Sequence, residues 1–169
     1  MTPAHRLRRV VTAVGLLAFA GACHRGSGAV AAKPTPSNML VNTAWLAAHA
    51  SDPDLVILHV GNRAQYDSGH VAGARLVTLN ELSLPQVEGG LTLQMGTVDQ
   101  LTTWARSNGI GDKSRVVIVP HDENLQSATR VFITMAYLGA FDRTSVLDGS
   151  FKAWKAENRA VTKDAAPLA

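Results

Sequence analysis

Two long apolar runs dominate the pattern of the chain beyond residue 38. Residues 55–60 and 115–119 are almost uninterrupted apolar positions, as expected for strands that are covered on both faces. Shorter runs at 74–77 and 145–147 predict two further strands, and residues 39–41 predict an edge strand. Helical stretches lie between them, so the pattern predicts an α/β domain. Its small, mainly parallel sheet is flanked by helices on both faces, with the two long runs at its centre.

Polar residues and one glycine mark where helices begin and end. Asn42 or Thr43 can cap a helix that follows the edge strand. Thr97 and Gln100 form a capping-box pattern ahead of a second helix, and Gly109 suits the left-handed position just past its end.

The helix after the second long run carries one predicted buried stripe. Its apolar residues recur at helical spacing, at Ala128, Val131, Phe132, Met135 and Ala136. Residues 85–96, by contrast, show no clear period. The predicted core consists of Val56, Ile57, Val117, Ile118, Val131, Phe132 and Trp154.

The N-terminal segment has the order of an export signal. A basic stretch at 5–9 precedes an apolar run at 10–19 and small residues at 20–22. The run is shorter than the roughly 20 residues that a spanning helix needs. Cys23 follows at once and resembles the acylated residue of a bacterial lipobox, although cleavage of a plain secreted protein nearby is the alternative.

These features predict four segments. They are a signal peptide at 1–22, a lipidated Cys23 with a flexible linker to residue 38, a domain at 39–163 and a tail at 164–169. We expect a lipid anchor in the bacterial cell envelope, facing the periplasm. The outer membrane is the expected site because His24 is not an acidic retention cue.

The basic charge of the chain is concentrated at its front. The sequence pI is about 9.4 and the net charge +3, with 16 Lys and Arg against 13 Asp and Glu. Arg6, Arg8 and Arg9 precede Cys23 and no acidic residue does, so the remainder is formally neutral. The composition therefore predicts no nucleic-acid partner.

Two segments carry a family resemblance. The first runs from Tyr66 to Ala74 and includes Gly69, His70 and Gly73; the second includes Asp148, Gly149 and Trp154. In this order they resemble two signatures of the rhodanese-like sulfurtransferase family. The resemblance covers about residues 39–163 and is strongest to the N-terminal domain of tandem thiosulfate or mercaptopyruvate sulfurtransferases, the domain that lacks the catalytic cysteine.

The signature residues also have a structural interpretation of their own. Gly69 and Gly73 suit tight turns where a Cβ atom would be in the way. We interpret His70 as a hydrogen-bonding turn residue and Asp148 as the cap of a helix whose aromatic residues enter the core. Neither signature predicts chemistry.

The resemblance places the catalytic loop of active members directly after the second long run. There a cysteine thiolate would form the persulfide that carries sulfur, but this chain has His121, which cannot form one. Asp122 and Glu123 follow and would repel an anionic donor. The whole degenerate loop comprises His121, Asp122, Glu123, Asn124, Leu125 and Gln126. The resemblance therefore implies a non-catalytic binding or structural module, without a cofactor.

Two alternatives stay open. The chain could be the N-terminal half of a sulfurtransferase whose cysteine domain is missing or separate, which would then be its partner. The loop could also support different chemistry, because His59 and His121 both end presumed parallel strands at one sheet edge. A metal held by these two with Asp122 is conceivable, but two tolerated substitutions are the simpler interpretation, and no metal is predicted.

Overall fold

The computed structural model describes residues 39–166, so the predicted signal peptide and the lipidated Cys23 lie outside the described residues. In chain order the elements are β1 (Leu40–Val41), α1 (Thr43–His49), β2 (Leu55–Val60), α2 (Arg63–Ser68), β3 (His70–Val71), β4 (Arg75–Val77), α3 (Val98–Ser107), β5 (Arg115–Pro120), α4 (Gln126–Tyr137), β6 (Thr144–Leu147), α5 (Ser150–Ala156) and β7 (Val161–Thr162). Two short 3₁₀ helices, Leu79–Leu82 and Phe141–Arg143, complete the described part.

Five strands form one parallel sheet in the order β1-β6-β5-β2-β4. The two long apolar runs are neighbours inside this sheet, and β1 is an edge strand, as the sequence predicts. In the register of β2 and β5, His59 lies opposite Val119 and Val60 opposite Pro120. The carboxyl ends of the two strands are therefore level, which brings His59 and His121 to the same edge of the sheet.

Strand alternation divides the interior into two layers. Val56, Leu58 and Val60 face one side, where the buried residues of α3 and α4 pack against them. Ile57 faces the other side, together with the buried residues of α1 and α5. The predicted fold class, a parallel sheet flanked by helices on both faces, is confirmed.

The predicted core is correct except at one position. Six of the seven residues are buried, but Phe132 is only half-buried and packs edge-on against Phe141 at 5.6 Å between ring centroids. The buried residues of α4 are Ala128, Val131, Thr134 and Met135, and Phe132 is turned about 100° away from Val131. Because the predicted stripe was wider than the face that these residues form, it took in Phe132 and the half-buried Ala136.

Most of the predicted helix ends are confirmed. The Asn42 side chain accepts a hydrogen bond from the Trp45 N–H at 2.7 Å and caps α1. Thr97 and Gln100 form a complete capping box at α3, and Gly109 adopts the left-handed conformation past its end, with φ of 67°.

The sequence interpretation missed two features. Helix α2 begins with a capping box between Asn62 and Gln65, a spacing that is visible in the sequence. Strands β3 and β7 form a two-stranded antiparallel sheet, but two residues in each strand give no periodic signal. Within residues 39–166, no helix has the length and apolar character required to cross a membrane.

Candidate functional site

The first signature forms a buried corner beneath the sheet edge. The Tyr66 ring stacks on the His70 ring, with centroids 3.6 Å apart and planes 9° from parallel. The Tyr66 hydroxyl donates to the Ala74 carbonyl at 2.6 Å. Burial raises the pKa of the Tyr66 hydroxyl above its ordinary value. This geometry fixes the path of the chain from α2 into β4.

His70 ties three segments together. Its Nδ1 is 2.9 Å from the Tyr66 carbonyl oxygen and its Nε2 is 3.0 Å from the Asp164 carbonyl oxygen. Carbonyl oxygens only accept, so a neutral ring can donate to one of them at a time. The predicted hydrogen-bonding role is confirmed, although His70 lies in β3 rather than in a turn, and its partner Asp164 belongs to the predicted tail.

The two glycines of this signature are required for different reasons. Gly69 has φ of 147°, and a Cβ atom there would lie 2.7 Å from Cγ1 of Val161. Gly73 has φ of 77°, and a Cβ atom placed there would have no atom of the described residues within 4 Å. The expectation that a Cβ would be in the way is therefore confirmed at Gly69 and wrong at Gly73, where only the backbone conformation favours glycine.

The second signature directs two aromatic side chains into the core. Phe151 and Trp154 on α5 are buried, and the Trp154 indole N–H donates to the Ala160 carbonyl at 2.9 Å. The prediction that Asp148 caps this helix is wrong. Gly149 is the N-cap, with no side-chain cap, because its left-handed backbone places the helix start one residue later.

Two histidines meet where β2 and β5 end. His59 is fully buried, and its Nε2 lies 3.2 Å from Nδ1 of His121. Both rings lie against Phe151, at 5.3 Å and 5.8 Å between centroids. The sequence prediction that these two histidines share one edge is confirmed.

The burial of His59 decides where its proton lies. Among the described residues, Nδ1 of His59 is buried without a hydrogen-bond partner. A buried N–H without an acceptor is costly, so the proton of neutral His59 is assigned to Nε2 and is donated to Nδ1 of His121. His121 consequently carries its own proton on Nε2.

Both histidines are held in the neutral form. Burial, followed by repulsion from His121, His70 and Lys155, lowers the pKa of His59 from 6.5 to about 3. Burial and then Lys155 also lower the pKa of His121, while Asp122 opposes them. A neutral imidazole therefore stands where β5 meets the loop.

The loop after β5 forms hydrogen bonds largely with itself. The Asp122 carboxylate accepts from the Asn124 N–H at 3.0 Å, and the Asn124 side-chain oxygen accepts from the Gln126 N–H at 3.1 Å. Glu123 pairs with Lys152 of α5 at 3.0 Å in an exposed contact. A cavity of about 100 Å³ lies beside the loop, between His121, Asn124 and Gln65.

The arrangement of His, Cys, Asp and Glu side chains bears on the metal alternative. Within residues 39–166, no group of three or more His, Cys, Asp or Glu side chains is arranged to hold a metal ion. The alternative of metal chemistry at His59, His121 and Asp122 therefore gains no support from the geometry.

Comparisons with known proteins agree with this architecture. The family model of the rhodanese-like domain matches residues 42–157, and the chain belongs to this family. It is 31% identical over 145 residues to a probable 3-mercaptopyruvate sulfurtransferase of Pseudomonas aeruginosa, covering 78% of this chain and 50% of that protein. It is also 26% identical over 127 residues to a thiosulfate sulfurtransferase of Azotobacter vinelandii, covering 75% and 45%.

A solved structure shows the same fold. The 3-mercaptopyruvate sulfotransferase SseA of Escherichia coli matches with a TM-score of 0.67 at 22% identity, over 79% of this chain and 54% of that one. The chain spans about half the length of the curated relatives it matches.

Proposed function

We propose that this rhodanese-like domain is a non-catalytic module that acts in binding or as a structural partner. The observation that carries the proposal is His121 directly after β5, the position at which the family resemblance implies the nucleophile. The chain has one cysteine, Cys23, and residues 39–166 contain none. Sulfur transfer through a persulfide requires a thiolate, which an imidazole cannot replace.

The hydrogen bonds of the loop support the same proposal. An active loop would direct free backbone N–H groups at its bound anion. Here the N–H groups of Asn124 and Gln126 are occupied by side-chain oxygens from within the loop. Asp122 thus adds negative charge to the loop, and its carboxylate also occupies the Asn124 N–H, which could otherwise bind an anion.

The test is a set of loop variants in a Cys23→Ser background, assayed by cyanide-dependent formation of thiocyanate from thiosulfate. The parent and the matched His121→Ser control are expected to be inactive. His121→Cys alone is expected to give weak turnover, since Asp122 and Glu123 raise the pKa of the new thiol and repel the donor. Further replacement of both carboxylates by glycine should increase turnover, because it removes the charge and frees the Asn124 N–H.

Two results would count against these claims. Robust turnover by the parent would overturn the non-catalytic proposal. A triple variant no better than His121→Cys would show that the backbone path of the loop, rather than its charge, excludes the reaction. Measurement of the thiol pKa in both cysteine variants separates the two effects.

We further propose that the protein is a lipoprotein of the bacterial cell envelope, held by an acyl group on Cys23 and facing the periplasm from the outer membrane. The order of basic, apolar and small residues before Cys23 supports this. Fractionation of wild type and Cys23→Ser, with mass spectrometry of the N-terminus, tests it. An unmodified wild-type protein that stays free of membranes would overturn the proposal.

A second candidate is one half of a divided sulfurtransferase. The observation that favours it is the coverage of about half of each curated relative. In this candidate a separate domain supplies the cysteine, and the present domain binds it. Mixing the protein with a cysteine-containing rhodanese domain encoded nearby would show stable binding and increased turnover; absence of both would eliminate this candidate.

A further inference from the structure

An apolar groove lies between α4 and the β1 edge of the sheet. It has a volume of about 280 Å³, and its walls include Met39, Leu40, Leu125, Phe132 and Val146. Three of these side chains are unusually open for apolar residues: Leu40 is 60% exposed, Met39 51% and Leu125 50%. No charged side chain lines the groove within the described residues.

The groove follows from the way the sheet is covered. Val41 points to the α1 and α5 face and is buried, whereas Leu40 points to the opposite face beside Val146, its partner in the register. Helix α4 covers β5 and β6 on that face, and no described element covers Leu40. The one hydroxyl in the wall, on Thr129, already donates to the Leu125 carbonyl at 2.8 Å. The groove therefore presents an apolar surface with its polar group satisfied.

The groove also lies where the N-terminal segment joins the domain. Residues 24–38 separate Cys23 from Met39, and Met39 itself lines the groove. Even fully extended, a segment of this length spans at most about 55 Å. The segment carries Arg25 and Lys33 and no Asp or Glu, a charge that favours an anionic surface.

We infer that this groove docks the domain on the anionic phospholipid bilayer that holds its acyl anchor. The inference rests on the proposed lipidation of Cys23. An anchor this close gives the groove a high effective concentration at the membrane, so weak apolar contacts suffice for docking. Leu40 and Leu125 would then contact the region between headgroups and acyl chains.

The experiment exploits the single cysteine of the chain. The chain from Cys23 onward is coupled through that thiol to a maleimide lipid in vesicles of phosphatidylglycerol and phosphatidylethanolamine, which mimics the anchor whether or not the native protein is acylated. Hydroxyl-radical footprinting then reports the exposure of Met39, Leu40 and Leu125. The internal controls are Ile133 and Tyr137, two exposed residues of α4 that do not line the groove.

Coupling is expected to lower oxidation of the three groove residues at least threefold while Ile133 and Tyr137 change little. A Leu40→Ser/Leu125→Ser variant should remain as exposed at Met39 when coupled as when free, whereas the matched Ile133→Ser/Tyr137→Ser variant should behave as wild type. Equal oxidation of coupled and uncoupled wild type would overturn the inference without depending on any variant.

Two further outcomes have distinct meanings. If the free Cys23→Ser protein sediments as a dimer that Leu125→Ser dissociates, a second copy occupies the groove and the membrane inference is overturned. If the native protein proves unacylated, the lipoprotein proposal fails, while footprinting of the coupled protein still decides whether the groove binds a bilayer.

Discussion

The corner around His70 and the loop after β5 both border His59, but they satisfy their polar groups in different ways. In the corner, the buried rings of Tyr66 and His70 bond to backbone carbonyl groups, one of which, that of Asp164, is 94 positions away in sequence. In the loop, the His121 N–H donates to the Val60 carbonyl at 3.0 Å, but the Asn124 and Gln126 N–H groups bond to side chains two residues earlier. The charged pair of Glu123 and Lys152 faces solvent.

The difference separates the residues that hold the fold from those that could have carried chemistry. Changes in the corner break long-range contacts and must cost stability. Changes at Asp122 and Glu123 break local or exposed contacts, so these two positions can vary without loss of the fold. His121 is different, because its ring contacts the buried His59 and Phe151. Variants placed in each region can break or sharpen this comparison.

The largest effect is expected at the border of the two regions. Phe151 is buried and lies against both His59 and His121, so Phe151→Ala leaves a cavity and should lower the free energy of unfolding by about 4 kcal/mol. Urea unfolding at pH 7 measures this, with Phe151→Leu as the size control. A loss below about 1 kcal/mol would mean that this border contributes little to the fold.

The next largest effect is a loss of stability at acid pH that His59 causes. Its folded pKa of about 3 lies below its unfolded value of 6.5, so its stabilising contribution is complete above pH 6.5 and is lost as the pH falls towards 3. Between pH 7 and pH 4, the shifted pKa of His59 should lower the free energy of unfolding by about 3 kcal/mol. His59→Gln should flatten this part of the stability profile.

A spectroscopic control does not depend on the variant. In wild-type protein, the imidazole resonances of His59 should show no more than about a tenth of the rings protonated at pH 4 while the domain remains folded. Titration of His59 near pH 6 would contradict the expectation that burial lowers its pKa.

The sequence interpretation was accurate for features with local signals and less accurate for features that depend on backbone conformation or distant contacts. The long strands and the capping boxes were predictable because their signals are local, as the confirmed run Leu55–Val60 and the Thr97 box show. The meeting of His59 and His121 was predictable as well, because the ends of neighbouring parallel strands share an edge. Asp148 was misassigned because the backbone conformation of Gly149, rather than a side chain, determines where α5 begins.

Features that depend on distant partners could not be predicted. Nothing local to His70 indicates that the Asp164 carbonyl lies within hydrogen-bonding distance of its ring. The pairing of β3 with β7 involves only two residues in each strand, too few to give a sequence pattern. The hydrogen bonds inside the loop depend on side-chain rotamers that sequence spacing does not specify. Helix α2, in contrast, had a readable signal in Asn62 and Gln65.

Replacement of the two corner glycines, Gly69 and Gly73, should lower stability by smaller and unequal amounts. Gly69→Ala should cost about 2 kcal/mol, because the new Cβ meets Val161 and the backbone is strained. Gly73→Ala should cost about 1 kcal/mol, because only the strain applies. Thermal unfolding of the pair tests this order, and equal losses would show that the contact with Val161 relaxes at no cost.

Phe132→Ala should cost about 1.5 kcal/mol, less than a fully buried aromatic residue, because the ring is half-buried and its edge-on contact is with Phe141. Ile133→Ala, on the same helix but exposed, is the control and should change the free energy of unfolding by less than about 0.5 kcal/mol. A loss of 3 kcal/mol or more at Phe132 would restore the wider inward face predicted from the sequence.

The smallest effect is expected in the loop itself. The Glu123 and Lys152 side chains are 71% and 67% exposed, and an ion pair in water contributes at most about 0.5 kcal/mol. Glu123→Gln, Lys152→Gln and the double variant form a cycle in which the coupling between the two sites should stay below that value. A coupling above about 1 kcal/mol would mean that the loop is held as firmly as the corner. If the coupling is small, a change in sulfur transfer on removing Glu123 from a His121→Cys variant reports the charge of the loop and not damage to the fold.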